Sequence, residues 1–247
     1  MANTTHDTQP LLGKVAVITG AGRGIGRVIA SAYAGAGATV VCSARSVAEI
    51  GQTVDLIHAA GGAASACAAD VVDLSSMLAL FSHAADTFGG VDIVVANAGV
   101  NGQHCSVQEA DPTDWARTIQ VNLVGAFHTV HAAIPLLRKR GSGKIILVGS
   151  GMRKGASPGR SSYAASKIGL WKLTEVLAAE LQQFNISVNE LIPGPVKTAM
   201  TAFGERPFPA GEWVKEPQDL VPLALFLATQ PDVGPTGQSF SLMRRVG

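Results

Sequence analysis

The chain has 247 residues, of which 47% are hydrophobic and 15% charged, with 28 glycines and a formal net charge of +1. This composition excludes a disordered chain and predicts one large domain over residues 1–247. The near-zero charge leaves no basic surface for nucleic acid or an anionic membrane. No apolar run reaches the ~18 residues that span a bilayer, and residues 1–11 form a polar tail without a signal peptide's apolar core.

The cysteines are three and scattered: Cys42, Cys67 and Cys105. Such spacing predicts neither a disulfide framework nor a metal site, and together with the polar tail it favours a cytoplasmic protein. His128 and His131 stand three apart on a predicted helix. They could ligate a metal, but no third ligand is spaced to help them, so we expect a helix face at a subunit contact and no metal.

From Lys14 onward, short apolar runs alternate with longer segments of helical periodicity. Strands are predicted at 15–18, 38–42, 63–68, 91–95, 144–148, 186–191 and 239–242. Helices are predicted from Ile25 onward and at 47–59, 74–88, 115–123, 124–138, 162–183 and 217–228. Continuous apolar strands alternating with helices indicate a doubly wound α/β fold, with a seven-stranded parallel sheet covered on both faces.

The first strand runs directly into the turn Thr-Gly-Ala-Gly-Arg-Gly-Ile-Gly at 19–26, which opens the first helix. Glycines there let backbone amides approach a dinucleotide pyrophosphate, whose charge the helix N-terminus favours. The position between a strand and a helix gives this turn more weight than its glycines alone. The residues expected at the cofactor are Gly20, Gly22, Arg23, Gly24, Ile25 and Gly26.

Tyr163 and Lys167 stand four residues apart in a stretch that the candidate caps Ser161 and Ser162 predict to open a helix. Both side chains would then share one helix face. An ammonium beside a phenol favours the phenolate and prepares the tyrosine to exchange a proton. Ser150, at the end of a predicted strand, could place a hydroxyl beside that phenol. Taken alone, the pair also suits an ordinary helix in which Tyr163 packs and Lys167 is solvated.

From about Leu12 to about Leu242, the chain resembles the short-chain dehydrogenase/reductase family, in its ketone-reductase and 3-oxoacyl-reductase branch. The glycine turn matches the family's Thr-Gly-x-x-x-Gly-x-Gly pattern, and five further motifs follow in the family's order. They are Asn97-Ala98-Gly99, Asn122, Ser150, the Tyr163/Lys167 pair, and Pro193-Gly194 with Thr198. The resemblance implies a Rossmann-like fold, an NAD(P)-dependent activity on CH–OH groups and a homotetramer. One departure is the C-terminal stretch 237–245, which lacks the Val-Asp-Gly-Gly-like ending of many relatives.

The resemblance also implies a role for each matched residue. Tyr163 would be the general acid in reduction and the base in oxidation, while Ser150 holds the substrate oxygen. Lys167 would favour the phenolate and bind the nicotinamide ribose, and Asn122 would anchor a water that links Lys167 to solvent. The further residues implied at the cofactor are Asp70, Val71, Asn97, Ala98, Gly99, Tyr163, Lys167, Pro193, Gly194 and Thr198.

The cofactor choice depends on the end of the second strand, where NAD-dependent relatives carry an acidic residue. Here Ala44 occupies that position, Arg45 follows, and Arg23 lies in the glycine turn. Two cations without a carboxylate favour a 2′-phosphate and therefore NADP(H), although both arginines could simply be solvated. Asp70 would contact adenine in the family pattern; alternatively, it caps a helix that starts at Val72.

The stretch 199–217 is a candidate substrate lid, because relatives of the family carry their substrate lid there. Phe203, Phe208 and Trp213 favour a lid over an apolar or aryl ketone, although they could merely pack the loop. The basic helix end 138–140 leaves 3-oxoacyl thioester reduction open, and a sugar or polyol dehydrogenase is a further alternative. The complete catalytic set argues against a protein that binds a dinucleotide without catalysing a reaction.

Overall fold

The computed structural model describes residues 9–201 and 213–243. Its centre is a seven-stranded sheet in the order β3-β2-β1-β4-β5-β6-β7, and every pair of neighbouring strands is parallel. The strands are β1 Val15–Thr19, β2 Thr39–Ala44, β3 Ala63–Ala68, β4 Ile93–Ala96, β5 Gly143–Val148, β6 Ile186–Ile192 and β7 Ser239–Ser241. The predicted doubly wound, Rossmann-like fold is therefore confirmed.

Helices connect the strands and cover both faces of the sheet. They are α1 Gly24–Gly35, α2 Val47–Ala59, α3 Leu74–Phe88, α4 Pro112–Ile119, α5 Gly125–Arg140, α6 Ser161–Leu181 and α7 Val221–Ala228. The π-turn Gln120–Val124 joins α4 to α5, and the 3-10 turn Pro217–Leu220 precedes α7. Within the described ranges, no helix has both the length and the hydrophobicity needed to cross a membrane.

The apolar residues divide into two cores, one on each face of the sheet. Ile29 and Tyr33 of α1 pack in the first core with residues of α2 and α7, and the Tyr33 hydroxyl donates a 2.8 Å hydrogen bond to the Ala224 carbonyl. Met77 of α3 and Leu170 of α6 pack in the second core with residues of α5. Because strands buried on both faces need no polar side, their sequences are continuously apolar.

The strand order reverses between β1 and β4, and this reversal positions the site. The chain leaves β1 toward β2 and β3 on one side, then returns to β4 and continues toward β7 on the other. The loops after β1 and β4 therefore diverge at their carboxyl ends and leave a crevice, the usual ligand position in open α/β sheets.

Candidate active site

A cleft of about 480 Å³ lies at the carboxyl ends of the strands. Residues from the loops after β1, β2, β3, β4, β5 and β6 line it. Most of the predicted cofactor residues are among them: Gly20, Gly22, Arg23, Gly24, Ile25, Arg45, Asp70, Val71, Asn97, Ala98, Gly99, Tyr163, Lys167, Pro193, Gly194 and Thr198. Gly26, Asn122 and Ser150 are not among the residues that line it.

The glycine turn can follow its path only because several of its residues lack side chains. Gly20 has a φ of +66°, and a Cβ there would stand 2.8 Å from the Asn97 Nδ2 atom. A Cβ at Gly26 would stand 2.2 Å from the Gly20 carbonyl oxygen, so Gly26 closes the turn on itself instead of facing a ligand. These contacts bring the N-terminus of α1 close to the carboxyl end of β1.

The turn is tied to the loop after β4 by two polar side chains. Asn97 Nδ2 donates to the carbonyls of Thr19 at 2.9 Å and Gly20 at 3.2 Å. Thr19 Oγ1 in turn accepts from the amides of Asn97 and Ala98, both at 3.2 Å. Thr19 was predicted as the first residue of the turn, but its role in holding the loop after β4 was missed.

Tyr163 and Lys167 lie on one face of α6, as their spacing predicted. Lys167 Nζ is 5.6 Å from the Tyr163 ring centroid and donates a 2.8 Å hydrogen bond to the Val148 carbonyl at the end of β5. Lys167 is buried, being only 5% exposed. The predicted serine caps are wrong, since Arg160 occupies the N-cap position and Ser161 accepts a hydrogen bond from the Trp115 indole instead.

Ser150 follows the cleft residue Gly149 and precedes the 3-10 turn Gly151–Arg153. Its Oγ accepts a 3.2 Å hydrogen bond from the Met152 amide. This bond uses the hydroxyl as an acceptor, so its own proton is left to donate to another oxygen. The arrangement suits a group that must hold a carbonyl oxygen.

Asn122 sits in the π-turn between α4 and α5 and is only 1% exposed. Its side chain accepts from the Val100 amide at 2.7 Å and donates to the Val100 carbonyl at 2.9 Å and to Ser166 Oγ at 3.1 Å. Both ends of the amide are thus committed to protein groups. Asn122 holds the loop after β4 against α6, behind the Tyr163/Lys167 pair.

The part of the cleft beside Arg23 and Arg45 contains a carboxylate that the sequence analysis did not single out. Glu49 lines the same wall as Arg23 and Arg45, and its Oε1 lies 3.9 Å from Arg23 Nε. Because α2 starts directly after β2, its first turn brings the residue four positions after Arg45 back over the strand end. The strand end itself carries no carboxylate, as predicted, but Glu49 of α2 brings one beside the two cations.

Asp70 lines the cleft and does not cap a helix, so the capping alternative is wrong. Its Oδ1 accepts from the Val72 amide at 3.2 Å. The helix α3 begins at Leu74, and Asp73 caps it by accepting from the Ser75 amide at 2.9 Å.

Two side chains that the sequence analysis did not single out, Arg160 and Asn101, connect Tyr163 to Met200. Arg160 donates to the Asn101 side-chain oxygen, and Arg160 Cζ is 5.2 Å from the Tyr163 ring centroid. Asn101 Nδ2 donates to the Met200 carbonyl at 3.1 Å, and Met200 lines the cleft. Arg160 stands three residues before Tyr163, and this spacing could have predicted that its side chain lies beside the Tyr163 ring.

The predicted lid is described only at its edges. Trp213 is 48% exposed, and its ring centroid lies 4.4 Å from Nζ of the buried Lys215. Phe203 and Phe208 lie outside the described residues.

The side chains of His128 and His131 contact other residues of the protein. His128 Nδ1 is 3.0 Å from the Val71 carbonyl, and the His131 ring lies 5.5 Å from the Phe127 ring. Over the described residues, no group of three His, Cys, Asp or Glu side chains converges to hold a metal ion.

Comparison with known proteins identifies the family. The sequence model of the short chain dehydrogenase family matches residues 14–206. The chain is 37% identical over 189 residues to D-beta-hydroxybutyrate dehydrogenase of Rhizobium meliloti, covering 76% of this chain and 73% of that one. It is 36% identical over 248 residues to trans-4-hydroxycyclohexanecarboxylate dehydrogenase of Sinomonas cyclohexanicum, covering 93% and 91%.

A solved structure extends the likeness to the fold. Carveol dehydrogenase of Mycobacterium avium, in complex with NAD, superimposes with a TM-score of 0.87 at 28% identity, over 95% of this chain and 98% of that one. The chain therefore belongs to the short-chain dehydrogenase family and is an oxidoreductase that acts on hydroxyl groups or the corresponding ketones.

Proposed function

We propose that the protein transfers a hydride between NADP(H) and a ketone or secondary alcohol, with Tyr163 as general acid in reduction and general base in oxidation. The observation that carries this proposal is the approach of the buried Lys167 ammonium to within 5.6 Å of the Tyr163 ring in the wall of the cleft. The nicotinamide, when bound, supplies or accepts the hydride.

The cleft residues suit a dinucleotide. A Cβ at Gly24 would stand 3.4 Å from Thr198 Cγ2, so the glycine turn and the loop after β6 flank the same part of the cleft. The helix α1, which is described in full, has no acidic residue in its first turn to repel a pyrophosphate. Its free amides and positive dipole end favour that anion.

The chain's own groups would handle the proton. Ser150, whose Oγ already accepts from Met152, can donate its hydroxyl proton to the substrate oxygen as negative charge develops there. Tyr163 gives or takes the proton of that oxygen. An ammonium has three donors, so Lys167 can hold Val148 and the nicotinamide ribose at once. Asn122 keeps the supporting loop in place and is a positioning residue.

NADP(H) is favoured by Arg23 and Arg45 at the adenosine end, where a 2′-phosphate would lie. The negative charge of Glu49 opposes this preference because it would repel the phosphate. Its Oε1 lies 3.9 Å from Arg23 Nε, so Glu49 competes with the phosphate for that guanidinium. The known complex of carveol dehydrogenase with NAD makes NADH the alternative to test. The homotetramer and the cytoplasmic location stay predictions from the resemblance and the sequence.

Two substrate classes have an observation in their favour. The apolar or aryl ketone rests on the predicted lid, of which the half-exposed Trp213 is described. A hydroxy or oxo carboxylic acid is favoured by Arg160, whose cation stands beside the Tyr163 ring and bonds to Asn101. Two relatives are named for hydroxy acids, hydroxybutyrate and hydroxycyclohexanecarboxylate. A guanidinium with several donors can bind a carboxylate through paired hydrogen bonds.

The test is a steady-state assay of NADPH and NADH oxidation with four substrates: an aryl ketone, a 3-oxo acid, an acetoacetyl thioester and a keto sugar. The proposal expects turnover with a ketone or oxo acid, higher kcat/KM with NADPH, and loss of that turnover in Tyr163→Phe. Failure to reduce any of the four substrates with either cofactor would favour a binding protein. Equal use of both cofactors would refute the part given to Arg23 and Arg45.

A further inference from the structure

Glu190 is a carboxylate buried in the middle of β6, and the proposed mechanism does not use it. Its side chain is 0% exposed in a strand that is buried along its whole length. A Cβ at Gly149 would stand 1.8 Å from Glu190 Oε1, so this oxygen lies against the backbone directly before Ser150. A carboxylate in such a place costs free energy unless it is paired.

Its partners come from two other elements. Ser239 of β7 donates a 2.5 Å hydrogen bond to Glu190 Oε2, and Arg153 Nε lies 3.2 Å from the same oxygen. The Arg153 side chain is only 8% exposed, and its Cζ stands 4.7 Å from the Trp171 ring centroid on α6. The guanidinium is thus held between the carboxylate of β6 and an aromatic ring of α6.

Arg153 ends the short 3-10 turn that Ser150 begins. The Met152 amide donates to Ser150 Oγ at 3.2 Å, and the Lys154 amide donates to the Gly151 carbonyl at 3.1 Å. A turn of three residues has few bonds of its own, so its position depends on what anchors its ends. One end continues β5, and the other is anchored through Arg153.

We propose that the Glu190–Arg153 ion pair fixes the turn that aims the Ser150 hydroxyl at the reacting oxygen. Both are positioning residues, because neither lines the cleft, and the inference rests on the proposed role of Ser150. Releasing Arg153 would let the turn shift and move Ser150 away from the substrate oxygen. Displacements of ~1 Å at a reacting centre can lower the rate about 100-fold.

The pair also makes the site sensitive to acid. The groups that favour the charged form of Glu190 are Ser239, Arg153, the Lys167 ammonium from α6 and the Ser150 amide, yet burial outweighs them and raises the pKa of its carboxyl. A raised pKa in the folded state means that the folded form is relatively more stable at low pH and loses this advantage as the pH rises through that pKa. On this proposal, protonation of Glu190 as the pH falls removes the negative charge that holds Arg153.

Glu190 and Tyr163 are expected to affect the pH dependence of kcat differently. In ketone reduction Tyr163 acts in its protonated form, so a loss of kcat in acid is not expected from it. An acid limb in kcat for reduction is expected from Glu190 instead. A wild-type kcat that stays flat down to the pH where the fold is lost would overturn the inference without any variant.

The variant test uses Glu190→Gln combined with Arg153→Met, which removes both charges together and leaves neither ion buried alone. We expect a folded protein, judged by thermal unfolding, with kcat about 10- to 100-fold lower, unchanged NADPH affinity and no acid limb. Arg153→Lys, which keeps the cation, should retain more activity than Arg153→Met. The inference fails if the double variant keeps wild-type kcat and its acid limb.

The control lies at the opposite end of β5. Lys144 is buried and its Nζ is 3.3 Å from Asp232 Oδ1, so Asp232→Asn removes the partner of another buried charge far from Ser150. We expect it to lower the thermal unfolding midpoint while kcat and its pH profile stay unchanged. Ser150→Ala separates the two proposals: if it is fully active, the proposed function of Ser150 fails. If it is inactive and the double variant is active, only the positioning role fails.

Discussion

The two ends of the cleft are built differently. At the adenosine end the Arg23 and Glu49 side chains are 65% and 42% exposed and 3.9 Å apart, an ion pair of about 0–1 kcal/mol. At the catalytic end Lys167 and Asn122 are buried and bonded to the ends of β5 and the loop after β4. The fold thus fixes the geometry around Lys167 and Asn122, whereas the cofactor preference that we propose depends on surface charges.

The largest effect is expected from breaking the catalytic end at Tyr163. Tyr163→Phe removes the proton donor but keeps the ring, so kcat should fall about 10²–10⁴-fold while NADPH affinity is retained. Stopped-flow or steady-state rates with a fluorescence titration of NADPH would measure both. A variant that kept more than about a tenth of wild-type kcat would show that another group gives the proton.

Arg160 tests whether the catalytic end also selects an acid. Arg160→Met should lower kcat/KM for an oxo acid about 10- to 100-fold, because a charge-assisted bond to the carboxylate is lost, and should change an uncharged ketone much less. Arg117→Met, at an exposed arginine of α4 outside the cleft, is the matched control. Equal losses for both substrates would assign Arg160 to packing against Tyr163.

The adenosine end should respond to exchange of its charges. Ala44→Asp with Arg45→Gln should reverse the NADPH preference, changing the ratio of kcat/KM values about 10- to 100-fold, since a phosphate contact is lost and a repulsive carboxylate is added. The rate with the better cofactor should stay near that of the wild type. A double variant with an unchanged ratio would mean that Arg45 is merely solvated.

A change at Glu49 is expected to alter cofactor affinity by a smaller factor. Glu49→Gln frees Arg23 for the phosphate and removes one negative charge, so NADPH should bind about two- to fivefold more tightly while NADH changes little. Isothermal titration with both cofactors measures this, and Asp55→Asn on the same helix is the control. Weaker NADPH binding would contradict the view that Glu49 competes with the phosphate.

Local signals predicted much of the fold. The bounds of α2, β3 and α3 agree with their predictions. In the structure, capping residues mark the two helix starts, Ser46 for α2 and Asp73 for α3. The start of α6 was attributed to serine caps, but Ser161 bonds to Trp115, which lies 46 residues earlier. A local pattern cannot show that a distant side chain occupies a hydroxyl.

The candidate site divides in the same way. The Tyr163/Lys167 pair could be predicted because both residues lie on one helix. Asn101 and Arg160 are 59 residues apart, and Arg153 and Glu190 come from different elements, so only the fold reveals these pairs. Glu49 was missed because α2 folds back over the end of β2, a step that strand and helix periodicity does not describe.

The most direct test of the central claim is to follow the hydride itself. The protein would be incubated with NADPH deuterated at the nicotinamide C4, in turn with an aryl ketone and a 3-oxo acid, and the alcohol analysed by mass spectrometry. The account predicts deuterium at the carbinol carbon, from one face of the nicotinamide only, in wild type, and transfer about 10²–10⁴-fold slower in Tyr163→Phe. Absence of transfer to every substrate, or equal transfer by Tyr163→Phe, would contradict it.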